Sequence, residues 1–183
     1  MTLAWLRAHN AGLVLVLSTA VGVGVAVAGS TSFVAPRQPI PLIWPLVMVQ
    51  AGLALLILEV RFGALPLAAV RAVTDRLIAC LVLLALVGGT VLELRLVGAP
   101  SSLVAWVGVV AALGLAVATF SSAEAWAVAI VVGLVGVGAE FVTPIAPISR
   151  NLESPVARWG AVALLLAGAA AHVAKPMTRL GQH

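Results

Sequence analysis

Five charged side chains, Glu59, Arg61, Arg71, Asp75 and Arg76, crowd into "LEVRFGALPLAAVRAVTDR" at 58–76, in a chain only 9% charged. Such a set can make ion pairs and charged docking contacts, and Arg71 and Asp75 stand four apart, as helical partners do. It pairs no nucleophile with a base and gathers no acidic metal site, so catalysis is not expected of it. Glu93, Glu124 and Glu140 lie near the ends of apolar runs, where an acid held in lipid can carry a proton or an ion. Glu140 is the best candidate among them, one turn below the expected outer surface. His9 and His172 would suit a haem or metal at matching depth, but no His-x3-His spacing or cysteine partner accompanies them. Solvated interfacial histidines are the plainer assignment. Cys80, the only cysteine, lies within an apolar run and reads as a small buried hydrophobe.

Nucleotide chemistry needs more than the chain supplies. A phosphate-cradling loop of the form G-x-x-x-x-G-K-[ST] requires a lysine within a glycine-rich turn. The single lysine, Lys175, is followed by Pro176. No enzyme activity and no cofactor are therefore expected of this chain.

The elements that position these residues follow from composition. The 183 residues are 63% hydrophobic, with a mean hydropathy of +1.21. A soluble domain carries roughly 25% charged residues, so there is too little polar surface here to cover a water-facing globule. Apolar runs of about 20 residues recur, the length a helix needs to cross the hydrocarbon layer. An integral membrane protein is expected, multi-pass in the inner (plasma) membrane. The formal charge of +4 and the isoelectric point near 11.1 do not indicate nucleic acid, because the basic residues are scattered rather than gathered on one face.

The runs are continuously apolar, without the alternation of a barrel strand, and predict an all-α bundle of six crossings. These are 11–29, 40–59, 77–94, 102–120, 125–142 and 156–174. The first imitates a secretory signal, with Arg7 before it and "AVAG" at its end, but is read as a crossing. Placing both termini in the cytoplasm puts Arg7, Arg61, Arg71, Arg76, Lys175 and Arg179 inside and leaves Arg37, Arg95, Arg150 and Arg158 outside, the right sign for the positive-inside rule. Trp44, Trp106, Trp126 and Trp159 near the run starts fit an interfacial belt. Ser121 and Glu124 resemble a capping box before the fifth helix. Small residues recur every four positions at Ala20/Gly24/Ala28, Ala129/Gly133 and Ala163/Ala167/Ala171, letting helices approach closely.

So much chain in the membrane leaves a single domain, 1–183, with an amphipathic lead-in at 1–10, a cytoplasmic segment at 60–76 and an outer segment at 143–155 broken by Pro144, Pro147 and Pro155. Within 60–76, Pro66 suits the first turn of a short helix, and Leu67, Val70 and Val73 share one face, as in a helix lying on a membrane surface. The bland alternative is a positive loop that merely fixes topology.

The pattern Glu59-x-Arg61-x-Gly63-x-Leu65, followed by a short apolar helix and Arg76 at the next crossing, resembles the coupling segment of the membrane subunits of ABC exporters of the second type. The lead-in "MTLAWLRAHN", the six-crossing layout and the proline-broken outer segment are similar to theirs too. Phe62, Ala64 and Pro66 depart from the family pattern. The resemblance implies a membrane subunit of an ATP-driven exporter, paired as a homodimer or heterodimer within the lipid bilayer. It further implies that Glu59, Arg61, Gly63, Arg71, Asp75 and Arg76 contact a separate ATP-binding subunit, which would hold ATP and magnesium. Two rivals remain: an ion- or proton-coupled carrier using Glu140, and a non-transporting accessory subunit of a membrane complex.

Overall fold

The computed structural model describes residues 11–28, 31–34, 39–58, 72–120, 124–142 and 152–174. Glu59, Arg61, Gly63, Arg71, the lead-in 1–10 and positions 143–151 lie outside them, as do His9 and Ser121. The described chain is all-helical apart from one small ribbon. Its helices are α1 (Ala11–Ala28), α2 (Ile43–Leu55), α3 (Ala72–Leu96), α4 (Ser101–Phe120), α5 (Ala125–Val142) and α6 (Pro155–Ala174). A tight 3-10 turn, Leu56–Leu58, prolongs α2. Between α1 and α2, strands β1 (Ser32–Phe33) and β2 (Ile40–Pro41) pair antiparallel, Ser32 opposite Pro41 and Phe33 opposite Ile40.

Helices stand in all six expected places. Three stretches, Val73–Leu96, Ser101–Phe120 and Pro155–Ala174, are long and apolar enough to cross a membrane; Ala11–Val27, Ile43–Leu58 and Ala125–Phe141 are apolar but shorter. Large apolar side chains such as Leu15, Leu81, Leu134 and Leu164 are exposed on the bundle's outside, which suits lipid and not water. The chain is a membrane protein.

Local chemistry sets the helix ends. α3 begins at Ala72, five residues before the expected start, because nothing from Ala72 to Arg76 opposes a helix and α3 need not stop where lipid does. Asp75 in its first turn and Arg95 in its last complement the helix dipole. Its C-terminus is a Schellman motif: Ala99 N–H donates to the Leu94 carbonyl at 2.9 Å and Gly98 N–H to the Arg95 carbonyl at 3.2 Å. Gly98 takes φ +70°. An added Cβ there meets nothing within 4 Å, so Gly98→Ala carries only the left-handed backbone penalty, about 1 kcal/mol. A matching loss should appear in detergent unfolding, with Gly98→Asn losing less.

Pro155 opens α6 after the helical residue Leu152 and a bend at 153–154; Ser154 Oγ accepts from Ala157 N–H at 3.1 Å, a side-chain cap with proline in the first helical position. Glu124 precedes α5, its carbonyl taking N–H bonds from Ala127 and Val128 at 3.1 Å each. A capping box would need that glutamate three residues inside the helix.

α2 packs against α1, α3, α4 and α5, and α4 against α2, α3, α5 and α6. Lipid is as apolar as leucine, so close van der Waals fit holds such helices together. At Gly52 an added Cβ would run into Ile130 and lie 3.1 Å from the Trp126 carbonyl oxygen. Ala129 and Gly133 do serve packing, Gly133 lying against Met48. In the other stripes Ala20, Ala163 and Ala167 are exposed, whereas Gly24 is half-buried beside Leu46 and Ala171 is half-buried; α6 buries Ala161, Leu165, Ala169 and His172. The tryptophans near the helix starts also serve packing. Trp44 is buried edge-on against Phe141, centroids 5.3 Å apart, and Trp106 packs over Gly136. Trp126 packs on the core. Only Trp159 of the four is exposed.

Candidate functional site

Polar side chains inside so apolar a bundle mark its candidate site. α1 and α3 both lean on α2 but meet each other only weakly, and a cleft of about 410 Å³ lies between them. Its polar lining includes Ser18 and Thr19 from α1, Gln50 from α2, and Thr90 and Glu93 from α3. The antiparallel run of α2 and α3 brings Gln50 beside Glu93 across 43 residues of sequence, Gln50 Nε2 donating to Glu93 Oε2 at 3.2 Å. α1 can pass this close because residue 22 is glycine: a Cβ there would stand 3.2 Å from both Glu93 carboxylate oxygens.

The cleft has more acceptors than donors. Thr90 is buried and spends its hydroxyl proton on the Leu86 carbonyl at 3.1 Å. Gln50 and Ser18 are 7% and 8% exposed, and Gln50 Oε1 and Ser18 Oγ are buried with no hydrogen-bond partner. Each such orphan costs about 1–3 kcal/mol, and lipid cannot relieve it. Among the described residues the Glu93 side chain has Gln50 as its only polar partner. A carboxylate beside unsatisfied oxygens at the edge of an apolar groove can hold a cation or exchange a proton; it has no nucleophile aligned with a base.

The other residues singled out in the sequence are spread apart. Asp75 and Arg76 are half-buried near the start of α3. Glu140 is half-buried in the last turn of α5, engaged by another group, and does not line the cleft. His172 is not the solvated residue expected of it. At 8% exposure it lies 3.2 Å through Nδ1 from Thr119 Oγ1. Thr119 gives its own proton to the Leu115 carbonyl at 2.7 Å, so the Nδ1–H donates. Cys80 is buried as expected, its thiol 3.9 Å from the Ala169 carbonyl. Among the described residues no group of three metal-binding side chains comes together.

Sequence reasoning missed Gln50, Ser18 and Thr90. The available signal was a lone amide in the run at 40–59, since a polar side chain within a membrane helix is a functional candidate by default. No protein-family model, curated protein or solved structure matches the chain.

Proposed function

We propose that the chain is the membrane subunit of an ATP-driven exporter, with six crossings, both termini cytoplasmic, and 60–76 as its coupling segment. Two such subunits, identical or related, enclose the path, and a separate ATP-binding subunit with ATP and magnesium drives them. The observation that best supports this reading is the continuity of α3. Asp75 and Arg76 belong to the same unbroken helix, Ala72–Leu96, whose apolar part is long enough to cross the membrane. A push delivered to 60–71 and felt at Asp75 and Arg76 would travel along a rigid rod, because no hinge interrupts the helix where it would enter lipid. Rigid-body motion of packed elements about an interface is an established switching mode.

Purification of the tagged chain from its own cells in mild detergent tests this. A P-loop ATPase should accompany it in fixed proportion. Recovery of the chain without an ATPase, together with flux that runs on an ion gradient in the absence of ATP, overturns the proposal in favour of an ion-coupled carrier.

A further inference from the structure

The cleft between α1 and α3 has a chemistry of its own, independent of how transport is driven. We infer that it binds the ammonium head of a single-chain amphiphilic primary amine entering from the bilayer, with Glu93 as counter-ion and Gln50 and Ser18 as further acceptors. At about 410 Å³ the cleft falls in the size range of small-molecule sites, roughly 300–1,000 Å³. A bare inorganic ion would leave most of it empty.

The polar end selects the head group. Glu93 brings a carboxylate, and Gln50 Oε1 and Ser18 Oγ are oxygens without partners in residues more than nine-tenths buried. A primary ammonium has three N–H donors and no acceptor, the complement of this excess. The rim selects the tail: Leu15, Val23 and Ala85 line the cleft and are themselves exposed, so an alkyl chain can lie along it while remaining in lipid. A phospholipid amine fits less well, because its phosphate, two carbons from the nitrogen, would stand beside the Glu93 carboxylate.

Equilibrium dialysis of radiolabelled dodecylamine against the full chain in neutral detergent tests the site. Saturable binding to one site is expected. Glu93→Gln should weaken it about thirtyfold or more, as loss of one partner from a desolvated charge pair does. Gly89→Leu gives a second check that leaves the carboxylate in place. Gly89 lines the cleft, and an added Cβ there meets nothing within 4 Å, so a leucine has room to start and should occupy the cleft and block binding. Dodecyltrimethylammonium, with the charge but no N–H donor, should bind roughly tenfold more weakly. Unchanged binding in either folded variant overturns the proposal. So does displacement of dodecylamine by sodium chloride, which would mean an inorganic cation site, or by phosphatidylethanolamine nanodiscs, which would mean a lipid site.

Discussion

Gly52→Leu leaves no folded bundle. The added side chain would start in a space already filled by Ile130 and press on the Trp126 carbonyl oxygen, 3.1 Å from the new Cβ. The isoleucine can turn away, but the carbonyl belongs to the backbone of α5 and moves only if the whole helix does. Overpacking ordinarily costs about 1–3 kcal/mol. Here it also parts α2 from α5 and loosens the neighbouring contact of Gly133 with Met48. With little hydrophobic drive between helices in lipid, that fit is what holds the pair. Gly52→Ala should lower the detergent unfolding midpoint, and Gly52→Leu should give aggregated or protease-sensitive protein. Gly88→Leu is the control: an added Cβ at Gly88 meets nothing within 4 Å, so that variant should fold as well as the parent. Equal behaviour of Gly52→Leu and Gly88→Leu would refute the packing account.

Reversing charge at Arg61 and Arg76 together should strip the ATPase from the purified chain while leaving membrane insertion intact. Like charges forced together across a docking surface cost several kcal/mol, so the ATP hydrolysis carried through purification should fall to background. Arg95, at the opposite end of α3 and exposed, supplies the comparison; Arg95→Glu should retain the ATPase. The pairing matters because both arginines are on the side of the chain assigned to the cytoplasm, while Arg95 is assigned outside. An undiminished ATPase in the double variant would remove the coupling role from 60–76.

The positions of the helices were legible because each is a continuous apolar run, and a helix is the way to satisfy every backbone polar group within lipid. α5 spans Ala125–Val142, the range that hydropathy alone predicts. The early start of α3 was harder to see, because hydropathy registers where lipid begins and not where helical hydrogen bonding begins. The ribbon of β1 and β2 escaped for a different reason: strands of two residues carry no periodicity.

The candidate site was legible only as scattered polar letters. The charge at Glu93 was noticed, yet its significance depends on Gln50, 43 residues away, and on Gly22, which lets α1 close over it. His172 looked solvated from its place near a helix end, but α4 presents Thr119 to it. The tryptophans were legible for depth alone; that Trp44 meets Phe141 and Trp106 meets Gly136 was not. Depth is a property of one helix; partnership belongs to two.

By itself, then, the sequence determined that this is a helical membrane protein and where its helices run, since both follow from the local transfer of side chains and backbone out of water. Tertiary structure decided which faces meet: that α2 and α4 are the most widely packed helices, that Ala20 and Ala163 are left facing outward, and that Ser18, Gln50 and Glu93 line one cleft. The reason is physical. Lipid solvates every apolar helix face about equally well, so hydropathy cannot rank those faces, and only the steric fit of glycine against isoleucine or tryptophan selects the pairing.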